Sequence, residues 1–516
     1  MATQPTPAAP RVPLEEWEPI HPAAAAFAVA ESATAPGAAP RAARSASLAH
    51  ALADANRRWG NPVDGELSRW LAGADAVVTG QQPGLLGGPL LTLVKAAAVV
   101  GEVRRRRTAG REAVGFLWLA TADDDLPEMG WGRVAVGEEL LEVREPEWTR
   151  AAALGGRTAV GSACEAFVDA LRAKLPGENA AHALDLARRC YAPGTLLGEA
   201  TATFLSGLLS GTGIVLVDAL EAELARAAAA TTGAVLEELP ACWDAFAATA
   251  ATFKARGWSV PLRISPQKLP VFRRSGNGRE PVAAVKGACP AGVLAEHARH
   301  PERFVPNAWL RPLAADAALG TSVSILGGAE LAYHIQTEGA RAVAATARPE
   351  WRLRPHVTIV TPAERRLVSQ LRVGTAEILH QGVPLASLPG KATRRRIAQM
   401  RAAMAKRMEG VSSSAREEIP GLVGDVEATD RKLEAAVAWL EGRLAAAAAR
   451  DAETTMGRWR KVRAFLRPDG QPQERRLSVL APLLKLGVEW PARLADSIDP
   501  GDPGMHLLFW GEGGPW

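Results

Sequence analysis

The sequence is poor in the residues that would mark a disulfide-stabilised or zinc-bound protein. It has only 4 cysteines, at positions 164, 190, 242 and 289. They lie far apart, with neither a CxxC pair nor a histidine at ligand spacing, so a zinc site is not expected. We expect each thiol to be a small buried hydrophobe in a reducing compartment, and we assign no metal ligands.

Long apolar runs and a strong net charge are also missing. No stretch is apolar over the roughly 18 residues that a membrane span needs. The N-terminus has no basic segment before its short alanine run at residues 23–26, which argues against a secretory signal. With 60 basic and 56 acidic residues the formal charge is +4, which gives no reason to expect a nucleic-acid partner. We therefore expect a cytoplasmic protein that binds neither membranes nor nucleic acid.

One glycine-rich segment carries most of the functional information. Residues 76–78 are a short apolar run typical of a buried strand, and residues 80–88 then supply several glycines and Pro83. We expect Pro89 to occupy the first position of the helix that follows. A strand, a glycine-rich loop and a helix start are how open α/β sheets present backbone N–H groups to an anion. The segment matches neither a dinucleotide fingerprint nor a Walker A loop, so a tight structural turn is the alternative.

Two further predicted strands end in carboxylates. Residues 114–120 are continuously apolar, as in a parallel strand covered on both faces, and the triplet Asp123-Asp124-Asp125 follows them. Residues 213–218 repeat the pattern and end at Asp218. Because ligands of open α/β sheets bind at the carboxyl ends of strands, these acids are candidates to face a substrate amine or a metal. Solvation or helix capping is the alternative for each of them.

These segments and three later ones, taken in order, resemble the bacillithiol biosynthesis cysteine-adding family, BshC. The first match comprises residues 79–89 with Thr92 and Lys95, followed by the tryptophan strand at 116–121. The later matches are Asn307-Ala-Trp-Leu-Arg-Pro-Leu313 with Asp316, Ile325-Leu-Gly-Gly-Ala-Glu-Leu-Ala-Tyr-His-Ile-Gln336, and Leu466-Arg-Pro-Asp-Gly-Gln-Pro-Gln-Glu-Arg475 with Lys485-Leu-Gly487. Together they span residues 70–490, and four ordered matches are far more specific than any one alone.

Two positions depart from the family pattern. The family usually carries Glu-Asp-His-Asp after the tryptophan strand, where this chain has Ala122-Asp-Asp-Asp125. A histidine that titrates near neutrality is thus replaced by Asp124, which is a poorer proton shuttle. His356 stands where the family often has arginine after proline. Both changes bear on the activity more than on the fold.

The resemblance implies a fold, a reaction and a set of site residues. It implies an α/β fold with a Rossmann-like parallel sheet, inserted connecting segments and a C-terminal helical coiled coil. The implied enzyme is a ligase that joins the carboxyl of cysteine to the amine of glucosaminyl-malate, and a carboxylate needs activation, for which ATP or another adenine nucleotide is the candidate cofactor. Arg311 would bind the malate carboxylates bidentately, with a buried ion pair as its alternative. The candidate catalytic residues are Lys95, Asp123, Asp124 and Asp125, and the candidate substrate- or nucleotide-binding residues are Thr79, Gly80, Gln81, Gln82, Gly84, Gly87, Gly88, Thr92, Asp218, Asn307, Arg311, Gly327, Gly328, Glu330, Tyr333 and Gln336.

The pattern changes to long helices near residue 392. Ile419, Val426, Leu433 and Leu440 recur every seven residues, with charges between them, which gives a seam of coiled-coil character, and Pro420 indicates where the long helix begins. An intramolecular helical hairpin and a dimeric coiled coil would both produce this seam, and the resemblance favours a homodimer. We expect an Ala/Pro-rich segment at 1–45, a Rossmann-like core at 46–391 with insertions near 145–300, helices at 392–465, and a C-terminal segment at 466–516 that packs back on the core.

Shorter elements are also expected. Residues 275–278, Ser-Gly-Asn-Gly, indicate a hairpin turn, a helix is expected at 290–300, and the last strand is expected at 357–360. Two other classes of function stay open. One is a nucleotidyl or glycosyl transferase of the same fold with a carboxylate-rich sugar site, and the other is a degenerate binding protein, which the missing histidine motivates.

Overall fold

The computed structural model describes residues 11–12, 20–31, 44–148, 153–371, 391–511 and 514–515. The chain divides into two compact units. The first unit comprises Met1–Val136, Leu140–Thr361 and Gln471–Trp516, and the second comprises Gly137–Glu139 and Pro362–Gly470. Most of the expected Ala/Pro-rich segment at 1–45 lies outside the described residues, apart from strand β1 (Arg11–Val12) and helix α1 (Pro22–Glu31).

A five-stranded parallel sheet forms the centre of the first unit. Its strands, in spatial order, are β11 (Glu350–Leu353), β10 (Thr321–Leu326), β2 (Asp75–Gln81), β3 (Ala113–Leu119) and β6 (Val215–Asp218). The strands are mostly buried apolar runs, as parallel strands covered by helices on both faces require. The predicted α/β class with a Rossmann-like parallel sheet is confirmed.

Helices cover both faces of this sheet. Trp70 and Phe116 anchor one core cluster with their rings 5.8 Å apart, and Leu48, Val217 and Leu319 pack around them. The helices that connect or flank the central strands are α2 (Ala46–Arg58), α3 (Asp64–Leu71), α4 (Leu91–Thr108), α5 (Leu126–Met129), α13 (Arg311–Leu319), α14 (Gly328–Gln336) and α15 (Glu338–Val343).

Connecting segments are inserted between the central strands. Strands β4 (Trp131–Val136) and β5 (Glu139–Arg144) pair with each other, and β7 (Lys268–Ser275) pairs with β8 (Gly278–Ala283) and β9 (Phe304–Pro306). The predicted hairpin turn at 275–278 is confirmed, and Gly276 there has φ +55°, which favours glycine. The inserted helices are α6 (Ser162–Lys174), α7 (Glu178–Cys190), α8 (Leu197–Leu208), α9 (Ala222–Ala227), α10 (Ala229–Glu237), α11 (Leu239–Ala255) and α12 (Ala291–Arg299).

The expectation that the last strand lies at 357–360 is wrong. Strand β12 (His356–Val360) exists, but β13 (Met505–Gly511) follows near the C-terminus and pairs with it in parallel. These two strands, with β1 and β14 (Gly514–Pro515), form a second sheet, so β12 is not part of the central one. The short helices α19 (Gln473–Arg476), α20 (Leu480–Leu486) and α21 (Pro491–Leu494) lie between the second unit and β13 in the sequence.

The second unit is helical. It contains α16 (Pro362–Leu371), α17 (Lys391–Glu418) and α18 (Val423–Leu466). Arg401 on α17 forms ion pairs with Glu434 and Glu441 on α18, at 3.4 and 2.9 Å, so the two long helices pack side by side as a hairpin. Of the predicted seam, Val426 is buried, whereas Ile419 is 59% and Leu440 is 40% exposed. The hairpin alternative is therefore present within one chain, and it leaves part of the seam uncovered.

The predicted helix start at Pro89 is wrong by two residues, because α4 begins at Leu91. The segment before it is held as an extended bridge to the C-terminal part of the chain. Pro89 pairs with Ser478, and the Leu90 N–H donates to the carbonyl of Leu477 at 2.8 Å. Because of these contacts, residues 89 and 90 stay outside the helix, and the first helical turn begins after them.

Candidate functional site

A cavity of about 550 Å³ opens at the carboxyl ends of the central strands. The chain builds the sheet outward from β2 through β3 to β6, and then places β10 and β11 on the other side of β2. The cavity therefore lies at the point where strand order reverses, which is where open α/β sheets bind ligands. The polar and charged residues that line it are Thr79, Gln81, Gln82, Lys95, Asp123, Glu128, Arg311, Asp316, Ser324, Glu330, Tyr333, His334, Arg354 and Arg475.

An ion pair between α4 and α14 forms part of the cavity wall. Lys95 Nζ donates to both carboxylate oxygens of Glu330, at 2.9 and 2.8 Å, and to the carbonyl of Gly80 at 2.6 Å. Burial lowers the pKa of Lys95, and the charge of Glu330 opposes this. Burial would raise the pKa of Glu330, but the charge and hydrogen bonds of Lys95, with the Gly327 N–H, lower it. The pair is thus a fixed, nearly neutral feature of the wall.

The acidic triplet is divided between three different roles. Asp123 lines the cavity and accepts a hydrogen bond from Gln82 Nε2 at 2.8 Å. Asp124 is 48% exposed and pairs with Arg279 at 2.6 Å. Asp125 accepts from the Glu128 N–H at 3.3 Å and caps α5. Of the triplet, the structure therefore places Asp123 in the cavity wall and engages the other two elsewhere.

Arg311 and Tyr333 form a second charged corner of the cavity. Arg311 begins α13, and its guanidinium lies 4.0 Å from Asp123. Burial opposes its charge, but Tyr333 and Asp123 outweigh that effect and raise the pKa of Arg311. Burial, with a smaller effect of Glu330, raises the pKa of Tyr333 to about 12, so its hydroxyl stays protonated. The corner therefore offers a permanent cation and a neutral hydroxyl to a ligand.

Three residues along the cavity each have a buried side-chain nitrogen with neither a hydrogen-bond partner nor an ion-pair partner among the described residues. These nitrogens are Trp118 Nε1, His334 Nδ1 and Arg354 Nε. Burial, followed by the charge of Arg341, lowers the pKa of His334 to about 3, so its imidazole is neutral at pH 7. Buried polar groups are nearly always paired in native proteins, so unpaired ones around a cavity indicate that a ligand or water meets them there.

The glycine-rich loop is built differently from the expected anion cradle. Its N–H groups donate inside the protein: Gly84 to Thr201 Oγ1 at 3.2 Å, Gly87 to the Tyr191 hydroxyl at 2.7 Å, and Gly88 to a loop carbonyl at 3.0 Å. Gly87 has φ +86°, and a Cβ there would lie 2.7 Å from Val479. These three N–H groups are thus used for hydrogen bonds within the protein, as the alternative of a tight structural turn predicts. Gly80, Gly84 and Gly88 still form part of the cavity wall.

Four other candidate residues make contacts away from the cavity lining. The Asn307 side chain accepts from the N–H groups of two residues at the start of α13, both at 3.1 Å. Gln336 clamps the backbone of Leu262, at 2.8 and 2.9 Å. Asp218 accepts from the Leu220 N–H at 2.9 Å and pairs with an arginine, while Thr92 is fully buried behind the loop. Their contacts are those of structural residues, and a direct role in binding stays a prediction.

Tyr191 is a site residue that the sequence reasoning missed. It is 1% exposed, and its hydroxyl donates to the carbonyl of Gly84 at 2.9 Å while accepting from Gly87. The chain has only 2 tyrosines, and both serve this site, one under the loop and Tyr333 in the wall. Because tyrosine is so scarce in this chain, the sequence analysis could have singled out each tyrosine as a candidate site residue.

Glu128 is a second residue that was missed. It lines the mouth of the cavity. Partial burial, and then the negative charges of Asp125 and Asp123, raise the pKa of its carboxyl. A carboxyl with a raised pKa is closer to the range of a useful proton acceptor. Its position three residues after the triplet was the available signal.

The C-terminal Gln-Glu-Arg motif acts as a clamp on β12. Gln473 bonds the backbone of Ile359, and Glu474 accepts from the Val357 N–H at 2.9 Å. Glu474 is fully buried and lies 2.7 Å from Arg354 and 2.9 Å from His356. Burial alone would raise the pKa of Glu474, but these two partners hold it at about 2. His356, one of the two departures from the family pattern, thus serves this clamp.

Neither the cysteines nor the helices point to another kind of site. Burial raises the pKa of the Cys289 thiol to about 11, which disfavours a nucleophilic thiolate. No group of three or more potential metal ligands occurs among the residues that the structure describes. In the same part of the chain, no helix is both long and apolar enough to cross a membrane.

Comparison with known proteins assigns the chain to a family. The model described as "Bacillithiol biosynthesis BshC, N-terminal Rossmann-like domain" matches residues 32–349, and "Bacillithiol biosynthesis BshC, C-terminal coiled-coil domain" matches residues 357–510. The second match extends beyond the helical unit and covers residues 505–510 of β13.

Individual relatives agree with these matches. Proteins named "Putative cysteine ligase BshC" are 28% identical over 465 residues in Solibacter usitatus, covering 85% of this chain and 85% of the relative, and 28% identical over 502 residues in Salinibacter ruber, covering 90% and 88%. One from Thermus thermophilus is 30% identical over 450 residues, covering 84% and 88%. The chain therefore belongs to the bacillithiol biosynthesis BshC family.

Proposed function

We propose that this protein is a ligase of bacillithiol biosynthesis that forms an amide between the carboxyl of cysteine and the amine of glucosaminyl-malate. Family membership and the names of the relatives support a cysteine ligase. The observation that carries the proposal is the cavity itself, which places Arg311, Asp123 and Tyr333 together at the switch point of the sheet. Such a site suits a substrate with carboxylates and an amine.

The corner at Arg311 suits the acceptor substrate. A guanidinium binds a carboxylate through two parallel hydrogen bonds, so Arg311 would bind the malate part. Asp123 lies 4.0 Å from Arg311 and is held by Gln82, and its carboxylate would attract the amine. Before the amine can attack, its ammonium form must lose a proton. Glu128, with its raised pKa at the cavity mouth, is the candidate proton acceptor.

An adenine nucleotide is the candidate cofactor for the carboxyl activation. When bound, it would convert the cysteine carboxyl into an acyl donor with a better leaving group. The cavity contains Arg354 and Arg475, which suit its phosphates. Lys95 is already engaged by Glu330 and Gly80, and the N–H groups of Gly84 and Gly87 already donate to Thr201 and Tyr191. The donor set thus fits a phosphate-bearing cofactor on the side chains rather than on the glycine loop.

The position of Asp124 argues against a degenerate, inactive protein. The missing family histidine motivated that alternative, but Asp124 is 48% exposed and paired with Arg279. The side chain at this position therefore pairs with Arg279 and is not among the residues that line the cavity. The acids and cations of the wall are still present.

We also propose that the protein forms a homodimer through the second unit. The helical hairpin leaves apolar side chains uncovered on α18, where Trp439 is 68% and Leu440 is 40% exposed. Large exposed apolar groups of this kind are typical of protein interfaces. A cytoplasmic location completes the proposal, since both substrates are soluble metabolites.

Reconstitution tests the proposed reaction. The purified protein is incubated with cysteine, glucosaminyl-malate and ATP, and the thiol product is followed by mass spectrometry. We expect a product of the mass of the amide, and its loss in Arg311→Lys, which keeps the charge but not the bidentate geometry. Substitution of Arg303, which is a surface arginine of the same unit, by lysine is the matched control. Absence of the amide with the parent protein, or an unaltered rate with Arg311→Lys, would refute the proposal.

A further inference from the structure

The N-terminus of α14 opens into the same cavity as Arg311. The helix has 9 residues, and its N-cap is Gly327, which has no side chain to cap the first-turn N–H groups. Gly327, Gly328 and Ala329 all line the cavity. Uncapped N–H groups together with the helix dipole favour an anion at this end.

Arg354 provides an independent observation at the same place. Its side chain is 1% exposed and lines the cavity. Its Nη1 donates to the carbonyl of Pro355, and its Nη2 lies 2.7 Å from Glu474. Its Nε has no hydrogen-bond partner among the described residues, and a Cβ built on Gly327 would lie 3.9 Å from that atom. A buried cation therefore keeps one donor unpaired beside the uncapped helix end.

The local charge also favours an anion. The carboxylate of Glu330 lies at this helix end, but it is occupied by Lys95 and by the Gly327 N–H at 2.7 Å. Lys95, Arg354 and Arg475 all line the cavity, and the charges of the two arginines contribute to lowering the pKa of Lys95. An anion bound here would therefore meet cations, while the carboxylates of Glu330 and Glu474 are already engaged with Lys95 and Arg354.

We propose that the N-terminus of α14 and Arg354 Nε form a second oxyanion subsite, which takes a phosphate group. This subsite deepens the proposed function and rests on it for the identity of the ligand, which would be a phosphate of the activating nucleotide. The carboxylates of the acceptor would occupy Arg311 instead. One cavity thus separates the activating anion from the substrate anion.

Two variants probe the subsite without removing a residue of the Arg311 corner. Gly327 has φ −72° and ψ 163°, which alanine adopts readily. The added methyl group of Gly327→Ala would lie 3.9 Å from Arg354 Nε and 3.2 Å from Glu330 Oε2, so it narrows the subsite and requires a small shift of that carboxylate. Arg354→Lys keeps the charge opposite Glu474 but removes the Nε donor. Gly292→Ala is the matched control, because Gly292 also lies in the first turn of a helix and has open space around it.

The probe is inorganic pyrophosphate, titrated calorimetrically into the full-length protein, with L-malate as the second ligand. We expect both variants to weaken pyrophosphate binding about tenfold, as for one lost charge-assisted hydrogen bond, and to leave malate binding unchanged. Gly292→Ala should bind both ligands as the parent does. Melting temperatures show whether Arg354→Lys is folded, and Gly327→Ala carries the test if it is not.

Three outcomes would overturn the subsite. The first is that the parent does not bind pyrophosphate, and the second is that Gly327→Ala binds it as tightly as the parent does. The third is that the variants lose malate binding as much as pyrophosphate binding, which would assign the subsite to the acceptor carboxylates. None of them depends on detecting the amide product. A failure of the subsite is therefore distinguishable from a failure of the proposed reaction.

Discussion

We expect substitutions of the 2 tyrosines of this chain to have different effects. Substitution of Tyr191 should lower stability because it holds the glycine-rich loop, and substitution of Tyr333 should lower the rate of the reaction. Tyr191→Phe removes a hydroxyl that is 1% exposed and that bonds both Gly84 and Gly87. The Gly84 carbonyl keeps its bond from Thr201 Oγ1 at 3.2 Å, whereas the Gly87 N–H loses its acceptor.

The cost of Tyr191→Phe can be worked from these contacts. The ring still packs on Phe204 at 5.6 Å, so the apolar contact is kept and no sizeable cavity forms. An unsatisfied buried donor costs about 1–3 kcal/mol, so we expect the free energy of unfolding to fall by about 2 kcal/mol. Urea unfolding followed by tryptophan fluorescence measures this, and product formation should persist at temperatures where the variant is folded.

Tyr333→Phe is the matched comparison. Its hydroxyl faces Arg311 in the cavity, so the substitution should change stability by less than about 0.5 kcal/mol. Product formation should fall at least about tenfold, because the neutral hydroxyl donor of the wall is lost. The reasoning is refuted if Tyr191→Phe is as stable as the parent, or if Tyr333→Phe retains the full rate.

Three further changes have expected outcomes. The pKa of Glu474 in the folded protein is about 2, against 4.5 for an unperturbed glutamate, so its contribution to stability is complete above about pH 4.5 and is lost as the pH falls towards 2. Over that range the free energy of unfolding of Glu474→Gln should fall by about 3 kcal/mol less than that of the parent, as measured by urea unfolding at each pH. At pH 7 the same variant should be less stable by about 3–5 kcal/mol, because Arg354 is left buried without its counter-charge. Asp124→Asn should leave the KM for glucosaminyl-malate within about twofold of the parent, as an exposed ion pair contributes little, and a larger rise would return this acid to the site. Trp439→Asp with Leu440→Asp should convert a dimer to a monomer in light scattering, and a dimer of the double variant would exclude this face as the interface.

The central sheet could be predicted because its signals are local. A parallel strand covered on both faces is a continuous apolar run, and residues 76–78 and 114–120 show such runs directly. The acids or glycines that follow each run then place a site at the carboxyl ends. Strand β13 was missed although it is equally apolar, because its partner β12 lies some 150 residues earlier and no local turn connects the two.

The roles of single residues could not be predicted where they depend on partners that lie far away in the sequence. The triplet at 123–125 gives three equivalent acids in the sequence, but Arg279, which lies 155 residues after Asp124, draws that carboxylate away from the cavity. The glycines of the loop were recognised, yet the reason for Gly87 is the side chain of Val479 on the far side of the second unit in the sequence. Burial and partners of this kind depend on tertiary packing, which a motif does not contain.

A crystal structure of the protein with glucosaminyl-malate tests most directly the claim that the cavity at the strand ends is the site of amide formation. The account predicts the ligand in the cavity, with a malate carboxylate on Arg311 and the amine near Asp123. Binding outside the cavity, or binding within it that leaves Arg311 without a carboxylate, would contradict the account.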